Sequence, residues 1–233
     1  MAEAQDDRDV VRREYADETG LSARISLWAQ RTGPRAIDVT FDEVLALSPR
    51  RVLEVGCGRG ELAERLVQAR LDVVAVDQSE RMVDLTRARG VDARVGDVSA
   101  LPFADGEFDV AVANFMLYHV PDVDQALAEL RRVAPALVAA TNGFDQLREM
   151  WELVGRDLGD RRRLFMRETG AAFLERHFSD VRTIDLPATV DLTAEDMRHY
   201  IAHSVAHRHL ADRVPDFEGT RTITASTAVF VAT

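Results

Sequence analysis

The stretch VLEVGCGRGELAERL, residues 52–66, decides the fold of this chain. A short apolar strand carrying the acidic Glu54 runs into Gly56, Gly58 and Gly60 at alternate positions, and a helix opens at Glu61. Glycines placed there let the backbone turn tightly off the strand and leave a ligand room against bare main chain. In an α/β unit such a turn marks a nucleotide site. Dinucleotide sites space their glycines G-x-G-x-x-G and rest a pyrophosphate on the helix N-terminus. Here the spacing is G-x-G-x-G behind a carboxylate, which repels phosphate and suits a ligand with a cationic amino-acid end.

Outward from this turn the chain alternates. Runs rich in β-formers fall at 51–55, 73–76, 92–95, 108–113 and 136–141, separated for the most part by helical stretches at about 60–69, 79–88 and 122–133. That rhythm predicts a parallel sheet with helices on both faces, and ligands in such sheets bind at the C-terminal strand ends near the reversal of strand order. Beyond residue 141 the pattern changes to helices at 143–158, around 169–177 and at 193–211, a strand at 181–187, and the β-rich end TRTITASTAVFVAT. Residues 1–34 read as amphipathic helix broken at Thr32-Gly33-Pro34. No internal repeat or low-complexity linker interrupts residues 1–233, so one domain is expected. It would comprise a helical lid (1–34), a cofactor-binding core (35–142), and an acceptor cap with closing strands (143–233), the later helices inserted between sheet strands.

Composition narrows the partners. A formal charge of −11 argues against nucleic acid and anionic membrane. The basic run Arg161 to Arg163 is flanked by Asp157, Asp160 and Glu168 and reads as a solvated face. No apolar run is long enough to span a bilayer, and the start MAEAQDDRDVVRREY is too charged for a signal peptide. The single cysteine, Cys57, excludes an intramolecular disulfide and fits a reducing cytoplasm. Between two glycines it reads as a small residue in a crowded loop rather than as a catalytic thiol. All 29 basic residues are arginine, which reads as the codon bias of a GC-rich, bacterial genome.

Further site candidates follow the glycine turn. Asp77 ends the second strand in VVAVDQS, about twenty residues beyond the turn, where a carboxylate can accept from both hydroxyls of a ribose. Gln78 follows it, and Met82 lies at a spacing from which it covers either a purine face or the core. In VGDVSALPFADGEFDVAVA, Asp97 can accept from an adenine amino group and the Val98 N–H can donate to the ring, although Asp97 also fits an ordinary turn. The fourth strand leads into NFMLYHVPD, which brings Asn114, Tyr118 and His119 to the same sheet edge.

Taken together, VLEVGCGRG, AVDQSERM, GDVSALPFADGEFDVAV and NFMLYHVPD resemble, in order and spacing, the class I S-adenosylmethionine (SAM)-dependent methyltransferases. The likeness is to their small-molecule branch, of the methyltransferase type 11/25 kind, and it covers about 51–142. TNGFDQLREM and ETGAAFLERHFSDV look like that branch's continuation. The resemblance implies a Rossmann-like, mostly parallel seven-stranded sheet and SAM as cofactor, with S-adenosylhomocysteine as product. By it, Glu54, Gly56, Cys57 and Gly58 surround the methionine moiety, Asp77 and Gln78 the ribose side, and Asp97 and Val98 the adenine. Asn114 offers backbone near the amino-acid end, and Tyr15 resembles the tyrosine that closes over it. One departure is RRVAPALVAAT, where the branch usually carries a Pro-Gly-Gly turn before the fifth strand. That turn belongs at the sheet end away from the cofactor.

Methyl transfer from a sulfonium needs alignment and desolvation, and a hydroxyl or ammonium acceptor must also lose a proton. His119 is the leading base, with Tyr118 as its orienter; packing at the strand end is the plainer role. His199, His203 and His207 recur every four residues, which on one helix would share a face. Such a face is polar surface, or acceptor-pocket wall, or, least of all, a metal site, and no metal is expected. In the second case one of these histidines replaces His119 as base. Asn142, at the end of the fifth strand, is a further acceptor contact. The expected partner is a small-molecule methyl acceptor, in specialised metabolism, modified at oxygen or nitrogen, with monomer and homodimer both open. Two other readings stand beside it. One is a SAM-binding sensor or assembly module without turnover; the other is a nicotinamide oxidoreductase, disfavoured by Glu54 and the glycine spacing.

Overall fold

The computed structural model describes residues 27–28 and 31–233. Helix α1 (Ala36–Ala46) precedes β1 (Arg51–Val55), α2 (Glu61–Gln68), β2 (Asp72–Asp77), α3 (Glu80–Arg87) and β3 (Asp92–Val95). Then come β4 (Val110–Asn114), α4 (Val123–Val133), β5 (Ala136–Asn142), α5 (Arg148–Leu153) and α6 (Gly170–Leu174). The chain finishes with β6 (Val181–Leu186), β7 (Thr189–Leu192), α7 (Ala194–Ala202), β8 (Arg221–Thr224) and β9 (Thr227–Ala232). Seven strands form one sheet in the order β3-β2-β1-β4-β5-β9-β6, parallel except where β9 runs antiparallel between β5 and β6. The order reverses between β1 and β4, so the switch point lies beside the glycine turn.

Period-two alternation on the central strands feeds two cores. Leu53 and Val55 of β1 face the layer that holds Leu127 and Leu130 of α4. Val52 faces the other way, toward Val44 of α1 and Leu62 and Leu66 of α2. Helix α4 buries Val123, Ala126, Leu127, Leu130 and Val133, the three-and-four spacing of an amphipathic helix, and Asp122 caps it by accepting from the Gln125 N–H. The Ala134–Pro135 turn opens β5 at its N-terminal end, away from the glycine turn.

A third core lies off the main sheet. After β6 the chain leaves the sheet, pairs β7 with β8, packs α7 over them, and returns as β9. Val190, Leu192, Met197, Ile201 and Ile223 fill this layer with Met150 and Trp151 of α5. A capping box between Thr193 and Asp196 starts α7. Thr32 ties the segment before α1 to this layer, its N–H donating to the Thr189 carbonyl at 2.8 Å.

Four expectations need correction. Helix α1 is unheralded in the sequence, because its N-cap, Arg35, supplies no side-chain cap. The stretch 143–158 is helical as α5 only over Arg148–Leu153, and the second helix is trimmed to Gly170–Leu174. The long helix 193–211 stops at Ala202, and Arg208–Arg213 turns as a separate 3₁₀ segment. The β-rich end forms strands as expected, divided between two sheets as β8 and β9, whereas β7 has no counterpart in the sequence pattern. Among the described residues no helix is long and apolar enough to cross a membrane. Leu130→Ala, which removes a fully buried side chain between α4 and the sheet, is expected to cost about 2–5 kcal/mol, read as a lowered urea midpoint with an unchanged slope.

Candidate functional site

A cavity of about 940 Å³ opens at the C-terminal ends of β1, β2 and β4, with its far wall built from α5, α7 and the segments after them. Its size is at the upper end of the usual range for small-molecule pockets, about 300–1,000 Å³.

The glycine turn forms its floor. Gly56, Gly58 and Gly60 all have positive φ, at 71°, 54° and 75°. At Gly56 a Cβ would sit 2.7 Å from the Met116 side chain, so the turn is closed to any larger residue on that side. At Gly58 a Cβ would meet nothing within 4 Å, so the backbone there faces open space. Asp77 locks this turn to the end of β2: one carboxylate oxygen accepts from the Gly58 N–H at 3.0 Å, the other from the Ser79 N–H at 2.9 Å. Burial pushes the Asp77 carboxyl up, and these N–H groups work against the shift. Each oxygen retains a lone pair for a further donor.

Glu54 is 3% exposed, on the strand just before the turn. It accepts from the backbone N–H of Ala63 near the start of α2, while its Oε2 is buried without a hydrogen-bond partner. Burial, aided by the charge of Asp77, raises its pKa to about 8. Cys57 is buried beside it, 3.5 Å from the Thr86 hydroxyl, and burial together with the Glu54 and Asp77 charges pushes the thiol far up. This thiol is not a nucleophile.

The structure brings Glu54, Gly56, Cys57, Gly58, Asp77, Gln78, Asp97, Val98, Asn114, Tyr118, His119, Asn142 and His203 to the wall of one cavity. Asp97 accepts from the Ser99 N–H at 2.9 Å, and Asn114 accepts from the Thr40 hydroxyl of α1 at 3.1 Å. Tyr118 and His119 share a 3₁₀ turn after β4, their rings tilted together at 4.4 Å between centroids. Phe115, which leads into that turn, holds a left-handed φ of 53°. Local backbone strain of this kind is concentrated at functional sites.

Three candidates are placed elsewhere. Met82 is fully buried and does not reach the cavity; the inward face of α3 carries it into the interior with Val83 and Thr86. His199 is exposed and also lies off the cavity. Tyr15 falls outside the described residues. Because α7 ends at Ala202, the three spaced histidines share no continuous helical face. His203 stacks on His199 at 4.3 Å, while His207 turns inward against Trp151 at 5.3 Å. Burial first, then the charge of Arg156, lowers the His207 pKa to about 4, so this ring is neutral.

Sequence reasoning passed over the residues of the far wall. Trp28, Arg31, Gln146, Trp151, Arg161 and Tyr200 all line the cavity. Arg161 overturns the reading of the basic run as solvated face: it is 5% exposed, with its guanidinium donating to the carbonyls of Leu158 and Phe144, whereas Arg162 and Arg163 are exposed. Arg31, Gln146 and Arg161 sit on irregular segments, which carry no period to reveal inward-facing positions, and Trp151 sits on α5, a helix of six residues and too short to show one.

Glu54 gives a direct pH signature. Its folded-state pKa, about 8, stands above the ordinary 4.5, so its contribution to stability is complete below about pH 4.5 and is lost as pH rises through 8. Glu54→Gln is expected to flatten the fall in thermal midpoint between pH 5 and 8.5, measured by calorimetry against the parent protein.

Comparison with known proteins agrees with this geometry. The family model described as a methyltransferase domain matches residues 53–135. Demethylmenaquinone methyltransferase of Renibacterium salmoninarum is 43% identical over 97 residues, 41% of each chain. Malonyl-[acyl-carrier protein] O-methyltransferase of Halorhodospira halophila is 30% identical over 187 residues, 75% of this chain and 63% of that one. The chain thus spans less than two thirds of the length of these curated relatives. In fold, a SAM-dependent methyltransferase structure from Thermotoga maritima superposes with a TM-score of 0.60 at 19% identity, covering 95% of this chain and 98% of that one. Methyltransferase sequences thus match the glycine turn and the strands around it, the fold of a solved methyltransferase extends through the rest, and residues 53–135 belong to the methyltransferase domain family.

Proposed function

We propose that this protein transfers a methyl group from SAM to a small-molecule acceptor at oxygen or nitrogen. The observation that carries the reading is the acidic end of the cavity. There Glu54, whose Oε2 is buried without a hydrogen-bond partner, lines the cavity together with Gly58 and Asp77. A ligand that is cationic at one end and carries ribose hydroxyls satisfies those groups; a pyrophosphate does not.

When bound, SAM would supply a methyl group activated by its sulfonium: the acceptor atom bonds the methyl carbon in line as the carbon–sulfur bond breaks, and the neutral thioether leaves. In this reading Glu54 binds the ammonium of the amino-acid end, and Asp77 accepts from the ribose hydroxyls with Gln78 beside it. Asp97 accepts from the adenine amino group and the Val98 N–H donates to the ring. Cys57 packs the turn as a small buried residue. Tyr118 orients His119, which takes the proton from an acceptor hydroxyl or ammonium. The wall made by α5, α7 and their flanking segments forms the acceptor cap and keeps water from the reacting groups. Asn142 and His203 contact the acceptor from that side. The names of the relatives, one acting on demethylmenaquinone and one on a malonyl-carrier conjugate, support transfer to small acyl or ring compounds without selecting one.

Asp77→Ala is expected to weaken S-adenosylhomocysteine binding by about 100-fold in isothermal titration, since the ribose loses its acceptors and the turn its clamp. Unchanged affinity would remove Asp77 from the cofactor site. Incubation with deuterated-methyl SAM and bacterial extract, followed by a search for mass-shifted products, identifies the acceptor. Absence of any labelled product alongside tight S-adenosylhomocysteine binding would favour the sensor reading instead. With the acceptor in hand, His119→Ala is expected to lower kcat by about 10²-fold with cofactor affinity kept; full activity would transfer the role of base to the far wall.

A further inference from the structure

The charges around the cavity are unevenly spread. Glu54, Glu61, Asp77 and Asp97 all belong to the sheet edge near the glycine turn, where Arg59 is the one cation of the lining. The other four lining arginines lie elsewhere: Arg31 and Arg35 before or at the start of α1, and Arg156 and Arg161 after α5. The uneven spread is the more informative because the chain as a whole carries a net charge of −11 and offers 40 acidic side chains for pairing.

Arg31 carries the strongest signal. Its Nε and Nη2 are buried without a hydrogen-bond partner, and burial with the nearby charge of Arg35 pulls its pKa down. A buried guanidinium nitrogen left unsatisfied is costly, and the cost is recovered only when a partner arrives. The Nε and one Nη of a guanidinium form a planar two-pronged donor that matches the two oxygens of a carboxylate. Unsatisfied polar atoms also cluster here: among the five described residues with buried side-chain atoms lacking a partner, Arg31, Glu54, Gln146 and Thr227 line this one cavity. Arg161, almost fully buried, adds a second guanidinium to the same wall. The neutral His207 adds no charge there, and the Arg156 guanidinium lies over the Trp151 ring at 4.2 Å. Trp28, Trp151 and Tyr200 give that end broad ring surfaces.

We propose that the acceptor is a carboxylate with a planar, ring-bearing body, its carboxylate held by the two-pronged guanidinium of Arg31 and attracted by Arg161. This rests on the reading of the acidic end as the seat of the donor, because that assignment leaves the basic end to the acceptor. Charge complementarity then works at both ends: the donor's sulfonium and ammonium lie toward Glu54 and Asp77, and the acceptor's carboxylate lies toward Arg31 and Arg161.

The two tryptophans of the chain, Trp28 and Trp151, both line the cavity, so intrinsic fluorescence reports on it. The test titrates the S-adenosylhomocysteine-saturated protein with benzoate, benzamide and inorganic phosphate. Benzoate is expected to give a saturable change that benzamide, its neutral analogue, does not, and Arg31→Gln is expected to weaken benzoate by about tenfold or more while leaving S-adenosylhomocysteine affinity within about twofold. Equal responses to benzoate and benzamide, no response to benzoate into tens of millimolar, or an unaffected Arg31→Gln variant would each overturn the proposal. Phosphate binding in place of benzoate would overturn the carboxylate assignment. Should the variant fail to fold by circular dichroism, the parent protein decides alone: iodide is expected to quench its tryptophans more strongly, relative to neutral acrylamide, than it quenches free tryptophan, and a lower ratio counts against the basic wall. If the parent fails to bind S-adenosylhomocysteine in calorimetry, the donor reading falls, and the benzoate titration of the protein alone still judges the anion site.

Discussion

The carboxylate of Asp77 joins the turn after β1 to the turn after β2, accepting one backbone N–H from each. It adds to the bonds by which the Gly56 and Cys57 N–H groups donate to the Val76 carbonyl and the Thr86 hydroxyl to the Gly58 carbonyl, so that the two turns form one unit. The clamp fixes Gly58 with its bare backbone toward open space and sets the orientation of the N-terminus of α2, from which Ala63 donates to Glu54. An ionisable group carries this load only because the protein surrounds it with donors; burial alone would drive it neutral. The same carboxylate then presents its remaining lone pairs to the cavity, so the structural clamp and the cofactor contact are one group.

From that clamp the cavity acquires two unlike ends. Its floor is built by the sheet and is acidic; its far wall is built by the layer of β7, β8 and α7, with α5 and the segments around it, and is basic and aromatic. A division of labour follows from the topology. The sheet edge is held by parallel ladders on both sides of the switch point and has little freedom to vary, whereas the far wall hangs from irregular connections between β5 and β6 and between β6 and β9. In such a fold the rigid edge suits the molecule that is always the same, and the irregular wall suits the molecule that distinguishes one enzyme from another.

Much of the core was legible in the sequence for a physical reason. Strands buried on both faces read as continuous apolar runs, and amphipathic helices such as α4 expose their period, so β1, β2, β4 and β5 with α2 to α4 fall within a few residues of their expected bounds. Glu54, Asp77, Asp97, Asn114 and His119 stood at strand ends, and strand ends of a parallel sheet converge by construction. Met82 and the three histidines show the converse. Met82 follows its helix into the interior, and the spacing of His199, His203 and His207 loses its meaning where α7 stops after Ala202.

What the chain determined by itself was the α/β rhythm, the glycine turn and the acidic sheet edge, because each is written in local pattern: apolar period, glycine spacing and a carboxylate at a strand terminus. The tertiary structure alone decided the other half of the site. Arg31 and Arg161 are separated by 130 positions and by most of the sheet, yet they line one cavity. Nothing local marks Arg161 as buried rather than solvated like Arg162 beside it. Burial and convergence of that kind depend on how irregular segments pack over the sheet edge, and packing is a property of the whole chain rather than of any stretch of it.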